Sequence, residues 1–314
     1  MTWLTRGMLA ILVLAALVAG AYWYYVADGA VPATATYKTD IAMWRDLVSG
    51  DTGSLPNEIR IEIVGRDSVP LAAMQAGASF EEYPRVRAAF QLNGPSGSVI
   101  IDSTMDAELG KKTQRGQTAS FDDDAYGRVV AAMGVATKVA VTHEHPDHIG
   151  GVARFPVPER LAERLVLPRP QYEALGNTTV DGKTPAAYAN AQIVDMSAPL
   201  RIAPGVVMIP AEGHTPGSVM FYAHLADGRE ALFLGDIAWV LSNVRDLTTR
   251  PRFVQQFFMV TSEDRAKVAD QIRALHDLAN AESALIMIPA HDAPVIAKLV
   301  ASGVIKEQFV IDAP

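Results

Sequence analysis

Residues 141–151 read Val-Thr-His-Glu-His-Pro-Asp-His-Ile-Gly-Gly. Three of the chain's seven histidines, with an aspartate, fall in the six positions 143 to 148, directly behind the apolar run Lys138–Thr142. The run before them reads as a buried strand, and the carboxyl ends of strands are where ligand sites collect in open α/β sheets. His143 and His145 are two apart, so on extended backbone both imidazoles reach toward one metal ion. Pro146 then turns the chain, which lets Asp147 and His148 face a second. Nitrogen and carboxylate donors without sulfur suit zinc and also admit manganese, iron or cobalt. The chain has no cysteine, which excludes disulfides, thiolate ligands and a cysteine nucleophile.

Four groups do not complete two metal sites, so further donors must stand at other strand ends. His214 lies in Glu-Gly-His-Thr-Pro-Gly-Ser, behind the run Gly205–Ala211. Asp236 closes the run Ala231–Asp236, and His291 follows Ala284–Pro289. Any one of these alone reads as a surface-loop residue. Five of seven histidines at strand ends, with two acids between them, is the pattern a metal cluster requires. His224, within a strand, and His276, on a helix flank, read as structural or solvated.

The rest of the chain alternates. Ile59–Gly65 and Ser98–Ser103 read as strands, and Asp122–Gly134 as a helix with acids in its first turn and Gly134 as its stop. Ser218–Leu225 and Ala231–Asp236 form a hairpin about Asp227-Gly228. Thr261–Ala281 reads as a helix. Several strands adjacent in sequence favour two helix-covered sheets over one doubly wound sheet.

The motifs His143-x-His145-x-Asp147-His148, Gly213-His214-Thr215-Pro216-Gly217-Ser218, Gly235-Asp236 and His291 resemble, in order and rough spacing, those of the metallo-β-lactamase superfamily. The resemblance runs from about Ile59 to His291. It implies an α/β fold, a four-layer αββα sandwich with a metal pair in the cleft between the sheets. By the same resemblance His143, His145 and His214 hold the first metal, Asp147, His148 and His291 the second, and Asp236 bridges them. Two adjacent divalent cations, zinc first with manganese or iron as alternatives, bring the pKa of a bridging water toward neutrality, and the hydroxide attacks an electrophilic centre. Asp147 also orients that nucleophile or takes a proton. Ser218 has no general base apart from metal ligands and is read as structural.

The substrate is narrowed by departures from relatives. Asp236 stands where β-lactamases of this superfamily carry cysteine or serine, and resembles the lactonase, thioesterase and phosphotriesterase-like branches. The 23 residues after His291 are too few for a glutathione-binding extension. A net charge of −8 offers no nucleic-acid surface. Trp239 stands where quorum-signal lactonases have a tyrosine, and Thr104 where many members have glycine beside the cleft. The expected activity is hydrolysis of a small ester, lactone or related acyl compound. β-Lactamase or thioesterase activity is the alternative, and a diiron redox protein or non-catalytic binding protein on the same fold is the alternative of another class. Asn243–Phe258, with Arg245, Arg250, Arg252, Phe253, Phe257 and Phe258, is a candidate lid or pocket wall with an anion contact, against the plainer reading of a solvated segment with an apolar face.

Gly7–Val26 carries no charge over 20 residues, enough to span a bilayer as a helix. Arg6 precedes it and Trp23, Tyr24 and Tyr25 end it, which predicts a membrane anchor with the rest of the chain on the non-cytoplasmic side. The alternative is a signal sequence cleaved near Ala19-Gly20-Ala21, releasing a secreted protein. The expected organisation is therefore an anchor or signal over 1–26, a linker over 27–37 and a hydrolase domain over 38–314. The expected partners are a small-molecule substrate and, through the helix, a membrane. Oligomeric state is not encoded in any feature of the sequence.

Overall fold

The computed structural model describes residues 3–113, 119–175, 185–259 and 263–311. The central strands are buried on both faces, as strands covered on both sides must be. The first sheet contains β1 (Glu58–Pro70), β2 (Glu82–Gly94), β3 (Gly97–Ile101), β4 (Ser120–Phe121), β5 (Lys138–Ala140) and, at the far end of the chain, a strand paired parallel to β1. A small parallel pair follows, β6 (Val166–Pro168) with β7 (Gln192–Val194). The second sheet comprises β8 (Leu200–Ala203), β9 (Val206–Pro210), β10 (Val219–His224), β11 (Glu230–Phe233) and β12 (Ile286–Ile288), in the order β12-β11-β10-β9-β8. The last strand is β13 (Ile305–Glu307), which closes the first sheet as β13-β1-β2-β3-β5.

Alternation along each strand divides the interior into three apolar layers. Phe90, Leu92 and Ile101 of the first sheet meet Met208, Phe221 and Phe233 of the second between the sheets. The Phe90 and Phe233 rings touch edge to face, with centroids 5.0 Å apart. The opposite faces carry Ala89, Ile100 and Val139, packed under the helices Asp123–Val135 and Pro146–Ala153, and Val207, Met220 and Tyr222, packed under Ile41–Val48 and Arg265–Ala281. Helix, sheet, sheet, helix is the αββα order that the resemblance implied.

Helix starts follow their caps. Asp122 accepts from Ala125 N, and Asp264 from Lys267 N. The second helix therefore starts at Arg265, four residues later than the sequence suggests, and Thr261 lies outside the described residues. The first helix runs through Gly134 and ends at Val135, so that glycine is not its stop.

Residues 27–37 are not a free spacer. Thr249 N donates to Gly29 O at 2.9 Å, Thr36 N to Asp270 Oδ1 at 2.8 Å, and the Tyr37 hydroxyl to Pro210 O at 2.6 Å. Backbone hydrogen bonds and the packing of Val31 against the outer core fasten the stretch to the domain. Ahead of it the helix Trp3–Tyr22 has no buried residue and stands clear of the domain.

Candidate metal centre

Each predicted donor lies on a segment that follows a strand. β5 delivers His143 and His145, and His145 caps the helix Pro146–Ala153, whose first turn carries Asp147 and His148. Two glycines make this helix possible, because a side chain on Gly151 would sit 2.4 Å from Ser103 O. β9 leads to His214, β11 to Asp236 and β12 to His291. Gly235 reaches Asp236 in the left-handed region, φ 54°, where an added Cβ would stand 2.9 Å from Thr142 Cβ.

All seven residues converge. Potential donor atoms of His143, His145, His214 and Asp236 lie within 4.8 Å of one another, as do those of Asp147, His148 and His291. The Asp236 carboxylate divides between the groups. Its Oδ2 is 3.3 Å from His214 Nε2 and 3.7 Å from His143 Nε2. Its Oδ1 is 3.0 Å from His291 Nε2 and 3.3 Å from His148 Nε2. Asp147 Oδ2 lies 3.7 Å from His291 Nε2 and 4.0 Å from His148 Nε2.

The far ring nitrogens are held by acceptors. His291 Nδ1 faces Val86 O at 2.8 Å, His148 Nδ1 faces Asp102 Oδ2 at 2.9 Å, and His214 Nδ1 faces Glu263 Oε2 at 2.7 Å. A carbonyl or carboxylate can only accept, so each Nδ1 carries a proton and each Nε2 is turned inward as the atom that would meet a metal. His148 Nε2 and Asp236 Oδ1 are buried and lack hydrogen-bond partners, an arrangement that a cation between them satisfies. Burial, then the charge of nearby imidazoles, holds His143 well below the usual histidine value and His145 at about 3. Against burial, Asp102, Asp236 and Asp147 raise His148 well above it. The carboxylates thus draw positive charge into the site. Burial would also raise Asp236, but His291, His148 and His143 hold it well below the carboxylate range. The donor set and its buried orphan atoms fit a pair of divalent cations.

The metallo-beta-lactamase superfamily model matches residues 83–291. The chain belongs to this superfamily. No match to the sequence was found among curated proteins. Similar solved superfamily folds include an N-acyl homoserine lactone hydrolase with its product N-hexanoyl-L-homoserine at the catalytic metal centre, 14% identical, TM-score 0.59, covering 78% of this chain and 96% of that one. A probable metal-dependent hydrolase from Staphylococcus aureus is 15% identical, TM-score 0.55, covering 76% and 90%. The dizinc quorum-quenching lactonase AidC, with a product bound, is 13% identical, TM-score 0.51, covering 75% and 88%. Together the match and the His/Asp cluster support a metal-dependent hydrolase.

Around the superfamily motifs lie residues that sequence reading missed. Glu144, between the two motif histidines, accepts from Thr215 Oγ1 at 2.7 Å and Gly217 N at 3.1 Å, and so pins the His214 loop. Ser218 receives Thr215 N at 2.9 Å, which fits its structural reading. Glu263, just ahead of the helix Arg265–Ala281, has its side chain buried between His214 and Arg250. Thr104 occupies the left-handed region, φ 55°, with its hydroxyl buried and unpartnered, so the glycine of many superfamily members there has a backbone reason.

Of the candidate lid segment 243–258, no arginine lines the cavity, and each is paired within the protein. Arg245 pairs with Asp246, Arg252 with Asp28, and Arg250 donates to Asp236 O at 2.7 Å and pairs with Glu263. The wall is present, since Phe253 and Phe258 line a cavity of about 600 Å³ with Asp147, Asp236 and His291 at its base. Arg85 and Arg87 of β2 line it instead, paired to buried Asp67 at 2.7 and 2.9 Å. Trp239 also lines it and donates its indole N–H to Asp236 Oδ2 at 2.6 Å.

Asp67 makes a pH prediction. Burial raises its carboxyl, but hydrogen bonds and charge from Arg85 and Arg87 outweigh this and hold it below the usual range. A carboxylate depressed in the folded state adds stability that is fully present above its unfolded value, about 4, and is lost as pH falls below it. Asp67→Asn removes this contribution. In urea melts with chelator present, the wild-type midpoint should therefore drop more between pH 7 and pH 3 than the variant's. Parallel drops would assign the acid sensitivity elsewhere.

Proposed function

We propose that the protein is a binuclear metal-dependent hydrolase of a small ester, lactone or related acyl compound, anchored by its N-terminal helix with the domain on the non-cytoplasmic side. The division of Asp236 Oδ2 and Oδ1 between two histidine groups carries this reading. His143, His145 and His214 would hold one ion, and Asp147, His148 and His291 the other, with Asp236 shared. When bound, two divalent cations, with zinc first among the candidates, supply a water acidic enough to ionise near neutral pH and a Lewis-acid hold on the substrate oxygen. The chain's own residues set the rest. Asp147, about a quarter exposed at the cavity base, is placed to orient that water or accept its proton. Trp239 fixes the Asp236 carboxylate and leaves the cavity without the hydroxyl that tyrosine would bring. Apolar side chains over most of the wall favour an acyl chain and exclude bulk water.

The test uses the full chain in detergent, because 28–37 is part of the packed domain. Metal per chain is counted, and lactones, aryl esters, thioesters, β-lactams and phosphotriesters are assayed for wild type and His145→Ala. Two zinc or manganese ions, one dominant ester or lactone hydrolysis, and its loss by about 100-fold or more in the variant are expected. Two irons with no hydrolysis would replace this reading with the redox one.

A further inference from the structure

We infer that the aromatic face around the cavity mouth docks on a lipid bilayer, and that the enzyme takes an amphiphilic acyl substrate from that bilayer. The substrate half rests on the hydrolase reading above.

The helix Trp3–Tyr22 is apolar, unburied and long enough to cross a membrane. It ends in a π-helical turn, Trp23–Ala27, and Val26 of that turn lines the cavity beside Phe253 and Phe258. The turn is fastened there. Arg252 donates to Tyr24 O at 3.0 Å, lies over the Tyr24 ring at 4.4 Å and pairs with Asp28, while Arg265 donates to Asp28 O at 2.5 Å. The mouth of the cavity therefore cannot move far from the end of the helix.

Exposed rings continue outward from the same point. Tyr25 meets Phe257 with centroids 6.4 Å apart, and Phe253 meets Phe257 and Phe258 at 5.3 Å each. Phe257 and Phe258 are 55% and 51% exposed. A contiguous exposed apolar patch marks an interaction surface. Tyrosine and tryptophan at the end of a spanning helix sit at headgroup depth. Phenylalanines packed against that tyrosine lie beside the same boundary, where their wholly apolar rings reach below it into the acyl layer, so continuity with the helix selects a bilayer as what covers them. A chain entering between Phe253, Phe258 and Val26 would pass along apolar wall to Asp147 and His291, with its carbonyl at the base.

The chain has no cysteine, so single cysteines can carry nitroxide labels. Phe257→Cys is the probe. Asp227→Cys is the control, in the β10–β11 turn at the end of β11 remote from Asp236. In full-length protein reconstituted into phosphatidylcholine–phosphatidylglycerol vesicles, power saturation should find position 257 accessible to oxygen and shielded from a nickel chelate, and position 227 the reverse. Nickel access at 257 equal to that at 227 would overturn the docking. So would dipolar broadening at 257 without vesicles, which would put a second copy on the face. Full-length Phe257→Ser should lower kcat/KM about tenfold for a long-chain ester in vesicles and leave a soluble short-chain ester unchanged. Equal loss on both would overturn capture from the bilayer. If no ester is hydrolysed yet label 257 lies in the acyl region, docking stands and the hydrolase reading fails by itself.

Discussion

Asp236→Ala should lower kcat/KM by about 10³-fold or more and bring metal content from two ions per chain to one or none. Among the described residues, Asp236 is the one whose two oxygens face both histidine groups, at 3.3 Å from His214 Nε2 and 3.0 Å from His291 Nε2. Alanine deletes a donor from each group at once. It leaves the surrounding chain intact, because Arg250 binds the main-chain oxygen of residue 236 and Gly235 makes the turn. Far-UV circular dichroism should therefore be unchanged. Asp236→Asn keeps one carbonyl oxygen and the shape while losing the charge, so it should retain more metal than alanine and still little activity. Metal analysis with steady-state kinetics checks both variants. An alanine variant that binds two ions and hydrolyses within tenfold of wild type would remove Asp236 from the centre.

The candidate metal donors were legible because the segments that carry them follow short apolar runs, and a strand end is a position that sequence can mark. His143, His145, Asp147, His148, His214, Asp236 and His291 all meet at one cleft. The supporting residues were not legible, since nothing local distinguishes them. Arg250 reaches Glu263 across 13 residues, and Asp102 reaches His148 across 46. β2, 13 residues long, carries the period-two set Val86, Ala88, Phe90 and Leu92. Arg85, Arg87 and Gln91 interleave with them but are buried too, so the strand lacks the polar outer face that would announce it. Residues 27–37 look like a linker because they are small and contain proline. Their attachment comes from backbone groups and from Asp270, more than 230 residues away, and composition does not report either.

Glu263→Ala should cost about 3–5 kcal/mol of folding stability and weaken metal binding at the His143, His145 and His214 group by about 10- to 100-fold. Two roles meet in this side chain. It neutralises Arg250, which is 2% exposed, and it receives the Nδ1 proton of His214 at 2.7 Å. Burial pushes its carboxyl up, yet Arg250 and His214 pull it down to about 2, so it is a full anion at neutral pH. Removing it leaves the guanidinium charge buried, with its Nε already lacking a partner. It also frees the His214 ring to turn and to take the other tautomer. The two effects separate in a second variant. Glu263→Leu with Arg250→Met removes both charges and fills the space, so it should regain most of the stability, as buried pairs replaced by apolar side chains often do. His214 still lacks its acceptor there, so the metal affinity should stay low. Urea melts of the apo protein and competitive zinc titrations measure the two quantities apart. If stability and affinity recover together, Glu263 acts only through packing and its hold on His214 contributes nothing to the centre.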